Sequence, residues 1–519
     1  MKFVNIISFI FLFVQIAHSQ ILEKSIPFSS GTPFQEPDGR RECVKIDDKT
    51  FVVLSKIKGN VGGPAEYVME KYSTDLTNLF RTPISVDGSE ELQEMFIHDN
   101  TITVLSVLHE ESMGNCRLKA TTYDVASGTK NAQKILAEIK VKPWLADKSR
   151  GAIKQSFSDM VCAGIGRNFT ASPPYRFEIR FSPDKKLFAA YLFDYSQKNL
   201  NGKCYIFSNN LDKLNEGNIH VDNNFTNYAI QPNNRGEIYI VNGDKMGRIA
   251  VILYQLATRQ YKYLDIQNAS AKRESLIIKL FDDDVVYVAN VIIGQNKLIG
   301  VMYSKFNFKT SLVERANFHD LSESLKQTMQ HSWEYVKQAK EDNWTNYEVS
   351  DFYVGNNEEI TIALERREVQ TTSYAYDQSN TVDIQKWIEC TGHVYTGGIF
   401  LFSFNNKDEL QWENAYAKSQ VSDINTGINT ASYVMDCQHK SKLRMLYSTS
   451  DNASGIFNTL NYVEWDKTNG KKVKELQLPN EESLGLVRNY TLWSDHQLLM
   501  VGRKGILGKK SFLCSYRLE

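Results

Sequence analysis

Tyr374, Tyr376, Trp387, His393 and Tyr395 crowd a single stretch, VQTTSYAYDQSNTVDIQKWIECTGHVYTG. Aromatic faces bury apolar area while keeping a polar edge. On a surface loop spanning 367–396, such side chains are candidates to stack on a sugar ring or a peptide side chain. A second set is acidic. Glu42, Glu94, Glu178 and Asp351 fall in segments read as inner strands, where the acids of a carbohydrate-active enzyme would converge on a central funnel. That chemistry needs paired carboxylates with separated pKa values, and solvated channel residues answer the same description.

Other chemistry is sparse. No HExxH, P-loop or GxSxG string occurs, and the nine histidines are scattered singly. Asp282-Asp283-Asp284 offers oxygen ligands for Ca²⁺, but it falls where other units also carry Asp or Asn, so turn formation explains it better. No metal centre and no cofactor are expected. The seven cysteines include no CxxC pair. Cys116 and Cys162 are candidates for a disulfide that would tie down a long connector and restrict the unfolded chain. Cys204, at the corresponding place one unit on, competes for Cys162. Cys43, Cys437 and Cys514 read as buried thiols.

The elements that must position these residues form a diverged repeat. Eight times the chain runs a strand, a polar turn, a strongly apolar strand and then an alternating strand. The apolar pieces are DDKTFVVLSK, HDNTITVLSV, SPDKKLFAAYLF, PNNRGEIYIVN, FDDDVVYVANV, GNNEEITIALE, QHKSKLRMLYS and WSDHQLLMVG. A weaker fourth strand follows several of them, as in ELQWENAY and KKVKELQL. Four strands per unit make a propeller blade. The expected fold is therefore all-β, an eight-bladed β-propeller, with seven blades as the alternative. The last unit stops at its third strand, and ILEKSIPF (21–28) supplies a matching outer strand, so closure by the N-terminal strand is expected.

The phrase FSPDKKLFAAY (181–191) resembles the repeat of TolB-like periplasmic propellers, whose units read Phe-Ser-Pro-Asp-Gly-Lys before an apolar strand. Lys185 replaces the glycine, and one unit of eight carries the phrase. The resemblance implies a propeller and transfers no function.

Alternating strands send alternate connections to opposite faces. The long insertions, 140–174, 317–346, 367–396 and 417–430, all fall on one face, an asymmetry suited to binding. The connector 317–346 contains a helix, inserted at about 320–340. Asp320 and Glu323 read as its capping box, and Leu321, Leu325, Met329, Trp333 and Val336 recur at helical spacing.

Lys2, an apolar run over 3–14 and Ala17-His18-Ser19 read as a signal peptide over 1–19, leaving 20–519 as one propeller domain in a secreted or periplasmic protein. Sixty basic residues balance sixty-one acidic ones without long runs, which argues against a nucleic-acid partner. No second apolar run has spanning length. The expected function is a monomeric binding or scaffold module presenting its loop-rich face to a protein or glycan ligand. The rival expectation is a glycoside hydrolase or lyase.

Overall fold

A computed structural model describes residues 22–28, 43–58, 66–87, 90–110, 114–140, 175–194, 200–221, 225–244, 248–266, 272–294, 297–333, 347–376, 387–416, 418, 420–423, 433–449, 459–480, 484–504 and 510–518. Successive strands pair antiparallel into eight sheets arranged as the blades of a propeller. Eight blades, not seven, complete the ring. Blade 1 comprises Cys43–Lys45, Thr50–Lys58, Glu66–Ser73 and Asn78–Ser85. Blades 2 to 5 begin at Glu90, Tyr175, Phe225 and Lys272, and blades 6 to 8 at Tyr347, Tyr433 and Leu484. First strands of successive blades touch, as Phe225–Pro232 touches Lys272–Leu280 and the latter touches Tyr347–Val354. They line the ring's inside.

The core is a set of seams between blades. Eight buried apolar clusters occupy the eight junctions. Side chains alternate across a strand, so each second strand feeds two seams. Phe51 and Val53 pack toward blade 8, whereas Val52 and Leu54 pack toward blade 2. Val286 and Val288 join blade 4, whereas Tyr287, Ala289 and Val291 join blade 6. Burial on both faces explains why the second strands read as continuous apolar runs.

The ring closes as the alternation of ILEKSIPF indicates. Leu22–Phe28 pairs antiparallel with Lys510–Arg517, with Ile26 opposite Leu513 and Ser25 opposite Cys514. A register shift between Leu22 and Lys24 changes which face the chain presents. Leu22 packs on the blade 7–8 seam and Ile26 on the blade 8–1 seam.

Fourth-strand side chains fasten neighbouring blades by donating to a carbonyl in the next blade's turn between third and fourth strands. Thr82 Oγ1 donates to Gly128 O at 2.9 Å, Lys134 Nζ to Leu211 O at 2.9 Å, and Lys262 Nζ to Phe308 O at 3.4 Å. Asn317 Nδ2 donates to Asp408 O at 3.0 Å and Asn414 Nδ2 to Gly470 O at 2.6 Å. Lys24 Nζ, on the closing strand, donates to Asp75 O at 2.9 Å, so the closure uses the same joint.

Turns after first and third strands are all short, at most five residues. Side-chain acceptors and left-handed residues build them. Asp282 Oδ1 takes the amides of Asp284 and Val285, and Asp284 pairs with Arg235 at 2.7 Å, so the Asp triplet serves a turn. In the FSPDKKLFAAY phrase Lys185 stands at φ 58°, the backbone region that the glycine of the related pattern would occupy freely.

The helix begins later than its sequence pattern suggests. Leu312–Asp320 is the fourth strand of blade 5, with Asp320 opposite Gly300, and the helix runs Glu323–Trp333. Ser322, not Asp320, caps it: the Ser322 hydroxyl accepts the Leu325 amide at 3.2 Å. Leu321 and Leu325 are buried against blades 5 and 6, whereas Val336 lies outside the described residues.

Candidate functional site

The stretch expected as a loop over 367–396 is largely strand. Blade 6 carries two long strands, Ile360–Tyr376 and Trp387–Phe404, paired in register from Ile360 opposite Phe404 to Tyr376 opposite Trp387. The fourth strand, Leu410–Tyr416, covers only Ile399–Phe404. Beyond it the two strands continue as a hairpin for about ten residues each, roughly 30 Å at the strand rise. The sequence VQTTSYAY is polar and alternating, unlike the apolar runs of the second strands elsewhere.

A short fifth strand, Gln420–Asp423, braces the hairpin's base by pairing with His393–Thr396. The register shift between Glu365 and Arg367 marks the point where blade becomes hairpin. Beneath it lies a buried polar cluster. Lys418, fully buried, meets the buried Glu365 carboxylate at 2.5 Å. Its ammonium also donates to Thr396 Oγ1 at 3.0 Å and Gln420 Oε1 at 2.7 Å. One ion-pair partner and two hydrogen-bond acceptors thus surround the ammonium, and a buried cation needs such company. Gln420 reaches Ser448 of blade 7 at 3.4 Å, and the ammonium lies 5.9 Å from the Tyr433 ring. The Tyr433 hydroxyl bonds Ser350 on the blade's first strand. The brace is thus locked to the second and third strands of blade 6 and to blade 7.

The expected site residues occupy this hairpin. Tyr376 and Trp387 face each other in register at its outer described end, and Tyr374 stands opposite Glu389. His393 lies opposite Gln370 and Tyr395 opposite Glu368, both within the length paired to the fifth strand. The acids are placed apart in sequence on first strands, Glu94 in blade 2, Glu178 in blade 3 and Asp351 in blade 6; Glu42 lies outside the described residues. Glu178 meets Arg180 at 3.6 Å. Among the described residues, the carboxylates whose pKa departs clearly from its ordinary range are held low, as in Glu358, where Lys305, Tyr287 and Arg315 outweigh burial, and Asp284, beside Arg235.

Cys116 is wholly buried, and burial pushes its thiol up to about 12. Cys162 lies outside the described residues, and no disulfide joins two described cysteines. Cys204 packs into the blade 3–4 seam, and Cys43 and Cys514 are also buried.

Nothing in the sequence pointed to Lys418. It sits in the unremarkable AYAKSQ, far along the chain from Glu365, and a lone lysine after a strand carries no local signal.

No protein-family description matches the chain, and no curated protein matches it in sequence. Solved structures similar to it include Sqt1 of Saccharomyces cerevisiae, at 9% identity and a TM-score of 0.43, covering 95% of this chain and 98% of that one. The β-propeller domain of the Trilobed protease from Pyrococcus furiosus shares 8% identity, with a TM-score of 0.34 and coverage of 83% and 94%. Prolyl oligopeptidase B from Galerina marginata shares 9% identity at a TM-score of 0.38, covering 92% of this chain and 56% of that one. At these identities the likenesses say nothing of activity or ligand. The eight sheets and their closing strand identify the chain as a β-propeller.

Proposed function

We propose that this propeller is a secreted binding or scaffold module whose protein or glycan ligand docks on the face carrying the blade 6 hairpin. The observation that supports it is the brace. A hairpin built of polar and aromatic residues is held by a fifth strand and a buried ion pair. A scaffold of that kind reduces the ordering cost of binding. Aromatic side chains at its outer end suit stacking on a sugar or a peptide side chain.

The test is capture on a glycan array and from an extracellular protein mixture, comparing wild type with Tyr374→Ala and Trp387→Ala. Ligands found with wild type are expected to bind each variant at least about tenfold more weakly, the cost of one buried aromatic anchor. Equal binding by all three proteins would refute the hairpin as the docking element. The carbohydrate-active enzyme is the competing reading. It calls for turnover of a glycan that falls on substituting Glu94, Glu178 or Asp351 by the amide. Export is tested by the N-terminus of the mature protein, expected at Gln20.

A further inference from the structure

The turn between the first two strands of blade 7 contains an imidazole where blades 1 and 5 use a carboxylate. In blade 1, Asp47 Oδ1 accepts the amides of Lys49 and Thr50 at 2.8 and 2.7 Å. In blade 5, Asp282 Oδ1 accepts those of Asp284 and Val285 at 2.8 and 2.7 Å. In blade 7, His439 Nδ1 accepts the amides of Ser441 and Lys442 at 3.3 and 3.1 Å. Thr50, Val285 and Lys442 each open the second strand of their blade, so the three acceptors are equivalent. A carboxylate keeps this role throughout the neutral and mildly acidic range. An imidazole nitrogen accepts only while it carries no proton.

We propose that His439 makes the blade 7 turn a proton-sensitive latch at the seam with blade 8, closed with neutral imidazole and opened by protonation. A proton on Nδ1 would face two amide hydrogens that it cannot satisfy, and the turn must give up both bonds or swing the ring away.

The charged groups around the ring come from every neighbouring element. Lys442 and Arg444 lie on the second strand, Asp436 on the first, and Asp495 on the turn of blade 8. Arg444 is committed to Asp436 at 2.8 Å and donates to Ser494 O at 2.8 Å, which links the strands flanking the turn to blade 8. Lys467, from the turn after the third strand, anchors the same segment through Ser441 O at 3.0 Å and Cys437 O at 2.5 Å. Burial and Arg444 hold the His439 pKa below the ordinary imidazole range, against Asp495 and Asp436. The folded state therefore binds this proton less readily than the unfolded chain does. The stabilising contribution is present above the ordinary histidine pKa of about 6.5 and is lost as pH falls through the window below it.

Hydrogen exchange on the full chain at pH 7.5 and pH 5, corrected for intrinsic rates, tests the latch. Protection of the Ser441 and Lys442 amides is expected to fall about tenfold at pH 5, the loss of a net hydrogen bond at each. The Lys49 and Thr50 amides, held by Asp47, should keep theirs. His439→Asn, which retains an acceptor and does not titrate, should remain protected at both pH values. His439→Phe should be unprotected at both. Wild-type protection at Ser441 and Lys442 that is the same at both pH values would overturn the proposal. So would an equal fall at Lys49 and Thr50, or a fall in His439→Asn parallel to wild type. Should either variant fail to fold, the comparison of the two turns within the wild-type protein decides.

Discussion

Removing residues 22–28 takes away the ring's closing strand, and its cost follows from the pairing. Six register pairs join Leu22–Phe28 to the last strand, one of them through Pro27, which has no amide hydrogen to give. At about 1 kcal/mol net per backbone hydrogen bond, the strand contributes about 5 kcal/mol. Leu22 and Ile26 are half-buried on the two flanking seams and add about 1 kcal/mol each. The total approaches the whole stability of an ordinary domain, about 5–15 kcal/mol. Urea unfolding followed by tryptophan fluorescence should therefore show the truncated chain largely unfolded, or with its midpoint sharply lowered. The peptide QILEKSIPF added in trans should restore part of the loss, and the same peptide with Ile26→Asp should not. A truncated protein whose midpoint matches the full chain would refute the reasoning, because the last blade would then be stable as three strands.

The buried pair under the hairpin predicts an asymmetry between single and double substitution. Lys418→Met strands the Glu365 carboxylate and should cost about 3–5 kcal/mol in urea unfolding, whereas Glu365→Met with Lys418→Met should recover most of it. A single substitution costing under about 1 kcal/mol would contradict the burial. Gly128 stands at φ +70°, and a Cβ there would lie 2.5 Å from Thr82 Oγ1 and 2.7 Å from the Phe80 ring. Gly128→Ala should lower stability by about 1–3 kcal/mol, and an unchanged melting temperature would show that the turn has another conformation open to it.

How much could be read in advance depended on where side chains go. The eight second strands were legible because each buries both of its faces, so runs such as VVYVANV stand out whatever the turn sequences. Closure was legible from the alternation of ILEKSIPF and the absent fourth strand of the last unit. The hairpin is not legible as strand because VQTTSYAY lacks the long apolar run that marks the other second strands, and such a segment also suits a loop. The helix start was misplaced because Asp320 and Ser322 are both competent caps, and only the pairing of Asp320 with Gly300 commits the aspartate to a strand. The Lys418–Glu365 pair and the His439 turn arise from tertiary proximity and from equivalence between blades, which strongly diverged units conceal.

The joints between blades have a direction. At every seam where the bond forms, the hydroxyl, amide or amine comes from the earlier blade and the carbonyl from the later one, including the step from Lys24 to Asp75. Head-to-tail contacts of this kind form a circle only when the rotation per step closes on itself. Blade 8 is the one blade whose third and fourth strands are not consecutive in the chain, so it has no turn there to offer a carbonyl to blade 7. Cutting the chain at another blade and linking residue 518 to residue 22 would carry that missing acceptor to the new site. A series of such circular permutants would then read out, one seam at a time, what each joint contributes to the ring.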